Sequence, residues 1–448
     1  MPVLSGYHQG RRVATGFTEL SCPQPQDGRS RSASVGAGRP EGAGLDSSRI
    51  EFHPSAELRR ERYSRQRQSA RFLWSEGVSQ LGYERLDMRH LVDTKTGELV
   101  DVDLNREGDR WARPVRPVRC GWSIGETVSL HHAEGGQAHW GGLERCGSIW
   151  ACPVCAAVIR NERAAEIRKA VEFINGVGGS MLFFTGTLRH HMGESLDTTL
   201  DTILKAWQRT ISGKAWRKAK ERLGIVGYIR AVEVTVGANG WHPHAHVMLM
   251  LENGISSGEF EWFRSWLFDR WADRVEALGC SRPTAQGLDL QRVDDDGEVL
   301  AKYLGKVQDE GHHWGADAEL ARGDVKRGRA EGSMTPFELL DEPRDEYGLV
   351  DERELGRRAS LWREFYRATK GRRAITWSRG LKALCDIAER TDEEIIEETE
   401  SAPSVWVTSA GEYRRVRSGY PEVLPLLLEA VERGDMDTVG EWLPPMRL

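Results

Sequence analysis

Residues 224–236 ("GIVGYIRAVEVTV") and 241–250 ("WHPHAHVMLM") are two β-prone runs joined by Gly-Ala-Asn-Gly. Glycine and asparagine tolerate the positive φ of a tight turn, so the runs read as adjacent antiparallel strands. No other feature limits the fold as strongly, because side chains alternate along a strand. His242, His244 and His246 share one face, and Pro243, Ala245 and Val247 take the other. With Gly237 opposite Gly240, Glu233 lies across from His244; with Ala238 opposite Trp241, it lies across from His246. In both registers the carboxylate is on the histidine face. Two imidazoles and a carboxylate make a divalent-metal site with open positions, and either Glu233 or His242 completes it. Pro243 has no N–H for a ladder, which places this end at an edge or delays the start of pairing.

The flanking segments extend the pattern. The stretch 156–174 has helical apolar spacing, 180–188 ("SMLFFTGTL") reads as a buried strand, and 194–222 as one long helix. Residues 256–278 form an amphipathic helix opened by Ser256 and Glu259 in capping-box spacing. A short alternating strand at 287–294 and a helix at 297–308 follow. The expected class is α+β: a ferredoxin-like β-α-β-β-α-β antiparallel sheet with helices on one face, preceded by a zinc-binding module.

That module rests on "CGSIWACPVC" at 146–155, with Cys120 upstream. The Cys-Pro-Val-Cys knuckle suits two-point capture of zinc, and four thiolates (Cys120, Cys146, Cys152, Cys155) fill a tetrahedron. His131, His132 and His139 are spare ligands if Cys120 is not used. The total of seven cysteines does not suggest a paired disulfide framework. The net charge of −6 does not advertise a nucleic-acid partner, but the charge is segregated. Residues 205–222 carry seven Lys or Arg against one Glu, and 357–382 carry nine against one. Basic runs interleaved with Trp, Phe and Tyr can contact phosphates and stack on bases; a solvated helix face is the plainer reading of either run alone. Arg189, Arg372, Arg373 and Arg379 are the leading DNA-contact candidates. There is no apolar run of about 18 residues and no secretory h-region, which leads to the expectation of a cytoplasmic protein.

The expected organisation is a disordered segment 1–54, a helical and mixed lead-in 55–117, the zinc module 118–157, a catalytic domain 158–310, a basic extension 311–385 and a C-terminal region 386–448 whose role is unreadable. On the helix at 297–308, Tyr303 has Lys302 beside it and Lys306 one turn on. A phenol is a poor nucleophile at neutral pH, and a nearby ammonium or metal lowers the cost of its phenolate.

"FFTGTLRH" (183–190), "HPHAHVMLM" (242–250) and "AKYLGKVQD" (301–309), in that order, resemble the three motifs of rolling-circle plasmid replication initiators. These are HUH endonucleases of the single-tyrosine type, and the resemblance is to those of actinobacterial plasmids. It covers roughly residues 118–385. It implies a protein that recognises origin DNA, nicks one strand, keeps a 5′-phosphotyrosine and leaves a 3′-OH for host polymerase and helicase. By position, His244 and His246 become ligands of Mg²⁺ or Mn²⁺, and Tyr303 the nucleophile. Relatives carry a Glu four residues before the tyrosine; here Val299 stands there and Glu298 is one place off, so the terminating group stays open. Two rivals stand beside this reading: a transposase or relaxase of the same chemistry, and a non-catalytic zinc protein that binds nucleic acid.

Overall fold

The computed structural model describes residues 54–133, 136–189, 191–293, 333–398 and 402–446. Helix α1 (Pro54–Phe72) leads into a small antiparallel sheet of β1 (Tyr83–Arg85), β2 (His90–Asp93) and β3 (Leu99–Asp101). After the short α2 (Arg116–Arg119) come β4 (Thr127–His131), β5 (His139–Gly141) and the long α3 (Pro153–Gly176). Then follow β6 (Ser180–Thr187), α4 (Leu196–Thr210), α5 (Gly213–Leu223), β7 (Ile225–Gly237), β8 (Gly240–Leu251), α6 (Ser257–Glu276) and β9 (Leu288–Val293). Beyond residue 332 lie α7 (Glu352–Thr369), β10 (Ile375–Trp377), α8 (Leu381–Leu384), α9 (Asp392–Glu398), β11 (Ser404–Ser409), α10 (Ala410–Gly419), α11 (Val423–Arg433) and α12 (Met436–Trp442).

The main sheet has the order β10-β7-β8-β6-β9, with every pair antiparallel. Strands β6 to β9 with their intervening helices are the expected ferredoxin-like repeat, and β10 is added outside β7. One face (Leu182, Phe184, Val232, Val234, Ala245, Val247) packs under Leu200, Ile203 and Trp207 of α4 and Phe263, Leu267 and Trp271 of α6. The helices of the repeat therefore share a face, as expected. The other face is covered by an element from outside the repeat. Ile167, Ala170, Val171 and Ile174 of α3 lie with Met181, Phe183, Ile229, Met248 and Met250. Burying the sheet on both sides explains why β8 ends in an unbroken apolar run, "VMLML", rather than alternating.

The capping box at α6 is present: the Ser256 side chain accepts from the Glu259 N–H, and Glu259 reaches back. The single helix expected over 194–222 is instead two. Gly213, the first residue of α5, sits at φ +79, and the Arg270 guanidinium of α6 donates to the carbonyl oxygens of Thr210 and Ser212. Those are carbonyls that a continuing helix would have used itself.

The chain end returns to its first half. β11 pairs with β4 in a three-stranded sheet of order β11-β4-β5, whose core holds Val128, Leu130 and Trp140 with Tyr413, Val416 and Leu427. Helix α1 is tied to α11 by Arg59–Glu432 and Arg60–Glu429, and to the 337–341 turn by Arg65–Asp341. The disordered segment expected over 1–54 lies outside the described residues, apart from the first residue of α1.

Gly179 joins α3 to β6, and a Cβ there would stand 2.4 Å from the Leu251 carbonyl oxygen and 2.8 Å from Ile174 Cγ2. Gly179→Ala is expected to destabilise the fold by about 1–3 kcal/mol, read as a lower urea midpoint at constant slope. A wild-type midpoint would mean that this joint has slack the packing does not show.

Candidate functional site

The hairpin closes in the first of the two registers, Gly237 opposite Gly240, with Glu233 across from His244. The carboxylate nevertheless reaches diagonally to the next histidine: Glu233 Oε2 is 2.7 Å from His246 Nε2. On the other side of the ring, Thr185 Oγ1 of β6 is 3.1 Å from Nδ1. A carboxylate only accepts, so Nε2–H donates to Glu233 and, in the neutral ring, Nδ1 accepts from the threonine hydroxyl. His246 is thus oriented from both sides, and it is 2% exposed. Phe183, His246, His244 and His242 form a ladder of rings up the sheet, with centroids 5.7, 5.9 and 4.3 Å apart. His242 and His244 are half-buried, so the ladder grows more accessible toward the turn. Pro243 lies where β8 has lost a neighbour, because pairing with β6 stops at His244 opposite Thr187.

One carboxylate and neighbouring imidazoles on a rigid sheet make a mixed oxygen and nitrogen donor set of the kind that divalent metals take. The histidine face is not drawn together as tightly as the cysteines described below. Tyr303, Lys302, Lys306 and Glu298 lie outside the described residues. The chain leaves β9 at Val293, opposite Met181, and is next described where Met334 exchanges backbone hydrogen bonds with Val236, at the histidine end of β7.

The four cysteines come from three places: Cys120 before β4, Cys146 after β5, and Cys152 and Cys155 at the start of α3. All are buried, and their Sγ atoms lie within 4.8 Å of one another. Individual separations are 3.6 Å (Cys120–Cys155), 3.6 Å (Cys120–Cys152) and 3.8 Å (Cys146–Cys155). A zinc tetrahedron with 2.3 Å bonds has edges of ~3.8 Å, so the quartet fits zinc. Without an ion, S–H donors from the other three hold the Cys120 thiol well below its usual range, while Cys146 and Cys152 are pushed well above theirs. The spare histidines are not needed. His131 and His139 pair across the β4–β5 hairpin, where His131 also contacts Ser129 and the Ala402 carbonyl.

The basic runs divide by burial. Arg372 is held by Asp197 at 2.6 Å and Asp201 at 2.8 Å, both on α4, and its carbonyl accepts the Trp150 indole N–H. Arg189, Arg373 and Arg379 are exposed. In the 357–382 run the aromatic residues face inward: Trp362 and Phe365 are fully buried, and desolvation pushes the Tyr366 phenol up to about 12. Lys214, Arg217, Lys218, Lys220 and Arg222 are exposed along α5, with Arg222 over the Trp262 ring. Sequence reasoning missed Thr185 as a site residue. The signal available was its place in "FFTGTL", on the face shared with the histidines.

Comparison with known proteins adds a family. The model described as replication protein matches residues 144–271, which include three of the four cysteines and all three histidines. "Protein rep" of Streptomyces lividans is 36% identical over 298 residues, 54% of this chain and 64% of that protein. A "Neomycin resistance protein" of Streptomyces cyanogenus is 36% identical over 143 residues, 26% of this chain and 32% of that protein. "Protein rep" of Streptococcus pneumoniae is 31% identical over 97 residues, 20% of this chain and 29% of that protein. The chain spans less than two thirds of the length of these curated relatives. No solved structure matches it.

Freshly purified protein is expected to carry about one tightly bound zinc per chain. Cys146→Ser should lose it and cost about 3 kcal/mol or more of stability, as measured by elemental analysis and thermal melting. Zinc-free wild-type protein with unchanged stability would remove the metal assignment.

Proposed function

We propose, from the match of residues 144–271 to the replication protein model, that this chain initiates rolling-circle replication of a plasmid by nicking and rejoining one strand at the origin. The observation that carries the reading is the ladder of imidazoles with a carboxylate bound to its innermost ring, set on a rigid sheet in a segment matched by a replication family. His244, His246 and either Glu233 or His242 would hold Mg²⁺ or Mn²⁺. Bound there, the ion would draw charge from the non-bridging oxygens of the scissile phosphate.

The chain's own groups do the rest. The Tyr303 phenol loses its proton, with Lys302 or Lys306 stabilising the phenolate. Its oxygen attacks phosphorus, the bond from phosphorus to the 3′-oxygen breaks, and that oxygen leaves as a 3′-OH after taking up a proton. The 5′-phosphate stays on tyrosine as an ester of similar energy, so attack by a 3′-OH reseals the strand without another energy source. Thr185 would keep the His246 ring in place: with an ion on Nε2 the ring proton sits on Nδ1 and is donated to the threonine oxygen, the reverse of the metal-free pattern. Glu298 is a candidate for activating water at termination.

The partners are origin DNA, single-stranded at the nick and duplex beside it, and then the host helicase and polymerase that use the 3′-OH. Among the described residues no helix is long and apolar enough to cross a membrane. Arg189, Arg373, Arg379 and the exposed cations of α5 are the proposed backbone contacts.

With Mn²⁺ and labelled single-stranded fragments tiled across the origin of the plasmid that encodes it, the protein should give a slow-migrating covalent band on a denaturing gel. Tyr303→Phe should abolish that band, and His244→Ala should slow cleavage at least about a hundredfold while sparing duplex binding. Wild-type cleavage by Tyr303→Phe would exclude this nucleophile. Absence of any cleavage alongside intact DNA binding would favour the non-catalytic reading.

A further inference from the structure

A second site is built beside Cys120 of the cysteine centre. Helix α1, the Cys120–Ser123 segment, Arg145 after β5 and helix α10 enclose a cavity of about 810 Å³. This is within the size range of small-molecule sites. Five arginines line it (Arg67, Arg71, Arg145, Arg414 and Arg417), and none of its described lining residues is an aspartate or glutamate. Trp74, Trp122 and Tyr63, all partly exposed, supply flat apolar walls.

The contrast along α1 is informative. Arg59, Arg60 and Arg65 each meet a carboxylate of a distant element at 2.5–2.7 Å. Arg67 and Arg71, on the cavity side, meet none within ion-pair distance among the described residues, and neither does Arg417 of α10. Burial holds the Arg67 and Arg417 guanidinium groups below their usual range, outweighing the more distant Glu422 carboxylate at Arg67 and the Tyr413 and Cys120 side chains at Arg417. A protein that pairs its neighbouring arginines so thoroughly has left these for an anion. The Trp140 indole, 1% exposed, also lines the cavity.

We propose that this cavity binds a nucleotide unit, its phosphate on Arg67 and Arg417 and its base against Trp74 and Trp122. Guanidinium forks match phosphate oxygens, and indole faces stack on any base. The unit has two possible sources of the same chemistry: a free nucleoside phosphate, or one unpaired nucleotide of a DNA strand. The proposal goes beyond strand cleavage and does not depend on it, since none of these residues belongs to the histidine face.

The experiment uses the full zinc-loaded chain without added Mg²⁺ or Mn²⁺, so that binding is read apart from cleavage. A fluorescein-labelled, 5′-phosphorylated dT octamer is titrated by polarisation, with free dTMP as competitor and the same sequence as duplex for comparison. Arg67→Gln/Arg417→Gln should weaken octamer binding at least about tenfold at unchanged zinc content and circular dichroism, and Trp122→Leu should weaken it as well. If dTMP competes, and its competition is lost in the double variant, the site takes a free nucleotide. If dTMP does not compete, it takes a nucleotide within a strand. Wild-type octamer affinity in the double variant, or a loss confined to the duplex, overturns the proposal. Unchanged affinity in Trp122→Leu overturns the base contact.

Discussion

The β7–β8 ladder is the constraint on which the rest depends. It fixes which side of the sheet each of a dozen β8 residues faces, and the two faces have opposite tasks. Val232, Val234, Ala245 and Val247 must lie under α4 and α6. The histidines and Glu233 must not. A slip of β8 by one residue would drive three imidazoles into the aliphatic core and turn Ala245 and Val247 out of it, so the apolar packing holds the polar face in register. Placing the imidazoles precisely costs the protein no dedicated framework, because it follows from burying hydrocarbon on the opposite side. Within that frame the fine adjustment is local: Glu233 and Thr185 grip one ring from two neighbouring strands.

The cysteine centre does for the chain's long-range order what the ladder does for the sheet. It gathers the approach to β4, the exit from β5 and the start of α3, the helix that covers the lower part of the histidine face. Trp150, inside the same cysteine segment, donates to the Arg372 carbonyl, while the Arg372 guanidinium grips α4. One arginine thus links the cysteine segment to α4, using its main chain toward the first and its side chain toward the second.

Much of this was legible from residue order. The four strands of the repeat fall within about two residues of where alternation and turns put them, and Ser256 with Glu259 marked the start of α6. The cysteine spacing named its quartet. What stayed hidden depends on contacts between distant segments. The break between α4 and α5 is held by Arg270, almost sixty residues away from the carbonyls it caps. Glu233 faces His244 by register but bonds His246, a choice made by side-chain direction rather than spacing. The aromatics of 357–382, read as a stacking surface, are mostly core, because an amphipathic helix and a basic-aromatic run look alike until the burying partner is known. The arginine-lined cavity joins residues near 67 to residues near 417, and no local pattern announces it.

The pairing of β11 with β4 has a consequence for how the protein is made. During synthesis β4 emerges about 280 residues before the strand that covers its outer edge. Through that interval an unpaired edge is presented to the crowded surroundings of the ribosome, a template for wrong partners. The cysteine loops on either side of the β4–β5 hairpin are complete much earlier, by Cys155. Early capture of metal would give the nascent hairpin a rigid anchor while it waits, and prematurely terminated chains would keep the open edge for good.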